Sequence, residues 1–190
     1  MHPNFIQHIR NYVELTEEEV QRLLAYLKPI TVAKKAYLLE EGQICRANYF
    51  VEKGCLRLFY LTEKGTEQIT QFALENWWLA DYMSYATQHP SEFYIQALEP
   101  TEVFAIPAEF QNQLYHEFPQ LERYFRLMFQ RALAASQRRL KFLYDYSKEE
   151  SYRNFVANFP GFTQRIPQYM LASYLGLTPE YLSELRKKLV

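Results

Sequence analysis

The sequence predicts an α+β chain: an antiparallel β-roll of jelly-roll type, one long central helix, and an all-α helix-turn-helix at the carboxy end. Three observations carry this. Gly42, Gly54 and Gly65 punctuate a β-rich region about every dozen residues, the rhythm of successive short strands. Residues 120–146 contain neither glycine nor proline. The last twenty-odd residues, 168–189, set Leu171, Leu175, Leu177, Leu182 and Leu185 around a small Ala172 and a turn-forming Gly176. The chain is accordingly divided into a roll at 1–118, a long dimerisation helix at 119–146 and a helix-turn-helix domain at 147–190.

In chain order, Thr16 is a cap for a lead helix over 17–27, with Glu17, Glu18 and Glu19 at its positive end. Strands are expected at Ile30-Thr31-Val32, Ala36-Tyr37-Leu38-Leu39, Tyr49-Phe50-Val51, Leu56 to Leu61 and Glu67 to Phe72. The last two flank Thr62-Glu63-Lys64-Gly65-Thr66, a hairpin with glycine at a left-handed position. Two more strands follow, Phe93 to Leu98 and Thr101 to Ile106, and Pro107 opens a short helix through Phe110 and Leu114. All five glycines, Gly161 and Gly176 included, are read as turn residues.

The helix at 120–146 is about 40 Å long at 1.5 Å per residue, more than a small roll can cover. One stripe on it, Phe125, Met128, Ala132, Ala135, Arg139 and Phe142, is spaced like a coiled-coil seam. A two-fold dimer contact is expected there. Ser147 then caps a further helix through Tyr152, Phe155 and Val156, which Phe159-Pro160-Gly161-Phe162 breaks.

The terminal pair has the parts that two steeply crossed helices need: an apolar stripe on each, a methyl-sized residue at closest approach, and glycine in the turn. Thr178 caps the second helix, Pro179 takes its first position, and Glu180 faces the positive end of its dipole. Arg186, Lys187 and Lys188 gather at its end, where cations suit both the dipole and a phosphate backbone.

Charge repeats the division. Residues 1–118 hold 9 Lys/Arg and 16 Asp/Glu, a net of −7, and residues 119–190 hold 12 and 6, a net of +6. A polyanion is repelled by the first part and drawn to the second. With 48% hydrophobic residues in 190, a real core is expected. No apolar run approaches a membrane span and the start, Met1-His2-Pro3-Asn4, lacks a secretory signal, so no membrane partner and a cytoplasmic location are expected.

Cys45 and Cys55 are too few for a disulfide framework or an iron–sulfur cluster and are read as buried side chains. His2, His8, His89 and His116 are scattered, without metal-ligand spacing and off the roll strands, and are placed at the surface. No metal, no cofactor and no catalytic residue is therefore expected, neither a metal-dependent roll enzyme nor a Ser-His-Asp or Cys-His hydrolase.

The order roll, long helix, helix-turn-helix resembles that of the Crp/Fnr superfamily of bacterial transcription regulators, in the compact form common in Bacteroidetes-type bacteria. The segments that carry the resemblance run from Ile166 through Ser183, and Val51-Glu52-Lys53-Gly54-Cys55-Leu56-Arg57 with Gly65 downstream. It implies a cyclic-nucleotide-binding-like sensor domain, a homodimer, double-stranded DNA as a partner, and RNA polymerase as a further one.

The chain departs from that pattern at two places. Nucleotide-binding members carry a Gly-Glu pair and an Arg followed by a small hydroxyl residue; here Ala80-Asp81 and Ser91-Glu92 align with them. A buried phosphate without its cation is costly, so cyclic AMP is not expected. Trp78, Asp81, Tyr82, Ser91, Glu92 and Tyr94 are instead candidates to line a pocket for an unknown small effector. At the DNA-reading end Glu184 stands where relatives often place arginine, and the chain stops at Val190 without a winged hairpin. Candidate base readers are Glu180, Tyr181, Ser183, Glu184 and Lys187, with Gln168, Thr178, Arg186 and Lys188 on the backbone. The two glutamates and the missing wing leave a second reading open, a small-molecule- or protein-binding roll that has lost autonomous DNA binding.

Overall fold

The central strands of both sheets are covered on both faces in this protein, which is why they show so little alternation. The computed structural model describes residues 4–189; Met1, His2, Pro3 and Val190, on which the readings of the chain's start and stop rest, lie outside them. Two short helices, α1 (Asn4–Arg10) and α2 (Glu17–Leu24), lead into the roll. Its strands are β1 (Lys28–Val32), β2 (Tyr37–Leu39), β3 (Ala47–Lys53), β4 (Leu56–Leu61), β5 (Glu67–Ala73), β6 (Trp78–Leu79), β7 (Tyr94–Ala97) and β8 (Thr101–Pro107). One sheet runs β1-β8-β3-β6 and the other β2-β7-β4-β5, with antiparallel pairing throughout.

Helix α3 (Tyr82–Thr87) bridges β6 and β7. After β8 come a 3-10 turn, α4 (Gln111–Glu117), the long α5 (Gln120–Asp145), and then α6 (Lys148–Asn158), α7 (Phe162–Arg165), α8 (Gln168–Leu175) and α9 (Pro179–Leu189). Ser147 caps α6 in a reciprocal capping box with Glu150, and Thr16 does the same for α2 with Glu19.

Three apolar layers hold these parts together. Between the sheets lie Leu39, Val51, Leu56, Leu79, Ile95 and Val103. On the outer face of the first sheet, Phe50, Trp78 and Ile106 meet Phe5 and Ile9 of α1, Leu23 of α2, Leu114 of α4, and Leu121, Tyr124 and Phe125 of α5. On the outer face of the second, Cys55, Phe59, Ile69 and Phe72 meet Phe162, Ile166, Met170 and Leu171 of the helix-turn-helix. Side chains alternate across a strand, so Phe50 and its neighbour Val51 serve different layers and both are fully buried. Each such large side chain contributes about 1.5–3 kcal/mol.

Several sequence expectations are corrected here. The lead helix ends at Leu24 rather than residue 27, because β1 must begin at Lys28 to pair with Ala105 of β8. Helices α1, α3 and α7 and strand β6 were not anticipated; each is short and held by tertiary contact. Gly161 has φ −70° and needs no glycine freedom. Gly54 does: its φ is +104°, and a Cβ there would lie 2.5 Å from Thr101 Oγ1 and 2.8 Å from Thr101 Cα. The helix-turn-helix segment shares the third layer with β4 and β5.

Candidate nucleic-acid interface

The helix-turn-helix forms as its residues require. Gly176 ends α8 in the left-handed conformation, φ 68° and ψ 33°, and the N–H of Leu177 reaches back to Ala172 O at 2.9 Å. Ala172 and Leu182 are fully buried at the crossing, and Leu185 nearly so. The Thr178 hydroxyl accepts from Tyr181 N at 3.2 Å, which starts α9 where the sequence placed it.

That packing leaves Thr178, Glu180, Ser183, Glu184, Arg186, Lys187 and Lys188 exposed. Tyr181 is half-buried, with the Lys148 ammonium 5.5 Å from its ring centre. Gln168 is turned inward: its Nε2 lies 3.5 Å from Thr163 O, and its Oε1 is buried with no partner. A backbone-contact role for Gln168 therefore requires its side chain to move.

The face of α5 differs from the expected seam. Phe125 is 6% exposed and packs with Trp78 and Tyr124, and Met128 joins the same cluster. Arg139 is half-buried against its own chain, donating to Ile69 O at 3.2 Å and Tyr174 O at 3.0 Å, and also to Thr70 O. Burial pushes its pKa down. Phe142 is half-buried against Tyr146, while Ala132 and Ala135 are exposed. Phe129, Leu133 at 62% and Leu140 are among the large apolar side chains of α5 left in solvent. With Ser136 these are spaced four, three and four, about 100° round the helix from the predicted stripe. The reason is that the roll itself takes the first seam.

The six proposed pocket residues do not converge. Trp78 is in the α1–α5 layer and donates from Nε1 to Tyr124 Oη at 2.9 Å. Tyr94 faces the opposite side of the molecule, stacked on Phe59 at 5.0 Å, because Ile95 beside it points between the sheets. Tyr82 sits edge-on to Phe129, and Glu92 is exposed. Asp81 and Ser91 satisfy each other instead: the Ser91 hydroxyl donates to Asp81 Oδ2 at 2.7 Å, and Asp81 Oδ1 accepts from Met83 N and Ser84 N to cap α3.

Two anchors missed in the sequence tie the helix-turn-helix to the roll. Arg165, at the end of α7, donates to both Glu75 oxygens at 2.9 Å, to Gly54 O at 3.1 Å and to Glu99. Burial pushes the Glu75 carboxyl up, but Arg165, the Gly54 N–H and the residue's own N–H together hold it down, to about 2. Ser173 on α8 is bonded into the edge of β5. His8, expected at the surface, is half-buried with Nδ1 2.8 Å from Tyr124 Oη, whereas Cys45 and Cys55 are buried as expected. Among the described residues no helix is long and apolar enough to cross a membrane, and no group of three or more His, Cys, Asp or Glu could hold a metal.

Comparison with known proteins places these features. The cyclic nucleotide-binding domain model matches residues 29–118. Over 179 residues the chain is 27% identical to the fumarate and nitrate reduction regulatory protein of Vibrio cholerae, spanning 88% of this chain and 70% of that protein. It is 29% identical over 185 residues to the transcriptional activator protein Anr of Pseudomonas aeruginosa, spanning 90% and 74%. The structure of FixK2 from Bradyrhizobium japonicum shares the fold, with a TM-score of 0.74 at 18% identity over 86% of this chain and 84% of that one.

Proposed function

Because this chain belongs to the Crp/Fnr family of regulators, we propose that it is a homodimeric, sequence-specific DNA-binding protein of the bacterial cytoplasm that works without cyclic AMP. The observation that carries this is α9, which buries Leu182 and Leu185 and leaves Ser183, Glu184, Lys187 and Lys188 free along one edge. Two such helices about 34 Å apart read successive major grooves. The exposed Phe129, Leu133, Ser136 and Leu140 row on α5 supplies a face for the second copy. RNA polymerase is the further partner that family membership suggests.

Asp81 and Ser91 support leaving cyclic nucleotide out of this reading. Ser91 stands where the family's pattern places its phosphate-binding arginine, and its hydroxyl is taken up by Asp81, a carboxylate occupied by three hydrogen bonds. A phosphate brought there would meet like charge. Millimolar cyclic AMP is expected to leave the melting temperature unchanged.

A genomic binding selection tests the main reading. Parent protein is expected to enrich a defined operator, and a Lys187→Glu, Lys188→Glu double change to abolish retention. Exposed Glu180 and Glu184 and the inward Gln168 favour the second reading, a binding module without DNA activity. Absence of any enriched sequence with the folded dimer would establish that one instead.

A further inference from the structure

The junction between the roll and the helix-turn-helix is where charge and hydrogen bonding are least settled. Three turns of the roll converge on one guanidinium: Gly54 from β3–β4, Glu75 from β5–β6 and Glu99 from β7–β8 all contact Arg165. The fork that Arg165 offers to the two Glu75 oxygens, 2.9 Å to each, is the same fork it would offer to two oxygens of a phosphate. Arg165 lies three residues ahead of Gln168, on a surface where Gln164, Pro167 and Tyr169 are exposed.

A second, independent sign of strain lies alongside. Among the described residues, the buried side-chain atoms without a hydrogen-bond partner are Arg139 Nε and Gln168 Oε1. Arg139 lies across this docking surface, bonded to Ile69 on the roll and Tyr174 on α8, while Gln168 lies beside Thr163 within the helix-turn-helix domain. Buried polar groups are almost always paired, so a docked arrangement that strands the Arg139 Nε is a poised one. Moving the helix-turn-helix off the roll takes Tyr174 O away from the Arg139 guanidinium. It also frees Arg165 for another anion.

We propose that Arg165 is a phosphodiester-binding side chain of the helix-turn-helix which the roll holds captive, so that Glu75 and Glu99 compete with the DNA backbone for one guanidinium. The contact is autoinhibitory. Exchanging one partly exposed ion pair for another is nearly balanced, and counterion release tips the balance toward the duplex. This inference rests on the DNA-binding reading above.

The test uses the intact dimer and a labelled 30-base-pair duplex of mixed sequence, titrated at several salt concentrations. A Glu75→Gln, Glu99→Gln variant is expected to bind about tenfold tighter than the parent. Glutamine still accepts from the Gly54 N–H, so the turn is kept. A Glu63→Gln, Glu92→Gln control makes the same change in net charge away from Arg165 and is expected to gain far less. Adding Arg165→Gln to the first variant should erase its gain and lower the log–log salt slope by about one, while Arg165→Lys should retain most of it. A gain equal to the control's, or one that survives Arg165→Gln, overturns the proposal and leaves DNA binding standing. Failure of parent and every variant to bind overturns the DNA-binding reading itself.

Discussion

The hydroxyl of Ser173 on α8 accepts from the N–H of Ile69 on β5 at 3.0 Å and donates to Glu67 O at 2.9 Å. A side chain of the helix-turn-helix thus does for an edge strand what a further strand would do. Gln68 Nε2 adds a bond to Ser173 O at 2.6 Å, and Arg139 closes the same edge at Ile69 O. Edge strands expose unpaired backbone groups unless something covers them. Here the cover is the first helix of the helix-turn-helix.

Ser173→Ala strands the Ile69 N–H at a partly buried site. A loss of roughly 1–2 kcal/mol is expected, lowering the melting temperature by a few degrees in a chain of this size. Scanning calorimetry of the variant beside the parent checks it, and an unchanged midpoint would mean that water replaces the hydroxyl there.

The Arg165–Glu75 contact predicts an acid-sensitive dock. The Glu75 carboxyl is held at about 2 against an ordinary 4.5, so the folded state favours its charged form. Its stabilisation is therefore complete above pH 4.5 and is lost as pH falls toward 2. Amide exchange in α7 and α8 is expected to quicken over that window. In Arg165→Gln the exchange should be fast at neutral pH already and respond much less to acid.

Tyr124 predicts a second pH effect at the other end of the molecule. Its buried hydroxyl accepts from Trp78 Nε1, and it donates to His8 Nδ1 when that nitrogen carries no proton. Burial, and then Arg131, lower the His8 pKa from the ordinary 6.5. Stability from this group is full above 6.5 and declines as pH drops through the lowered value. The urea midpoint should fall between about pH 8 and pH 5, and His8→Gln should flatten that slope. Tyr124→Phe leaves the Trp78 N–H without its acceptor and is expected to cost about 1–3 kcal/mol at either pH.

Leu133→Glu places a charge in the middle of the exposed α5 row. Sedimentation should show a dimer for the parent and a monomer for the variant, with the melting of the roll unchanged because Leu133 is 62% exposed within one protomer. Ala132→Glu, on the flank of that row, is expected to weaken association less. Equal effects would return the seam to the stripe that includes Ala132 and Ala135.

Strong local signals were legible in the chain. The caps at Thr16, Ser147 and Thr178, the left-handed Gly65 and Gly176, and the crossing at Ala172 are each fixed by two or three neighbouring residues, and each formed where expected. On α5 the roll takes up Phe125 and Met128 of the expected stripe, because a helical apolar stripe looks the same whether it meets another copy or its own roll. Phe125 and Phe129 are equally apolar; the position of β6 separates them. The pocket was misread because Trp78, Asp81 and Tyr94 are near in sequence, while strand alternation and α3 send them to different layers.

Local chemistry thus settled the inventory of this protein: which segments turn, which are capped, and that an acidic front precedes a basic back. The assignment of faces came from folding in three dimensions. Arg139 and Arg165 carry no mark in the chain that separates them from Arg186, yet two are bound by the roll and one is free, because carbonyls and carboxylates at residues 54, 69, 75 and 99 are brought to them across the fold. A charge's partners are a matter of distance, and distance between residues far apart in the chain exists once the sheets have closed.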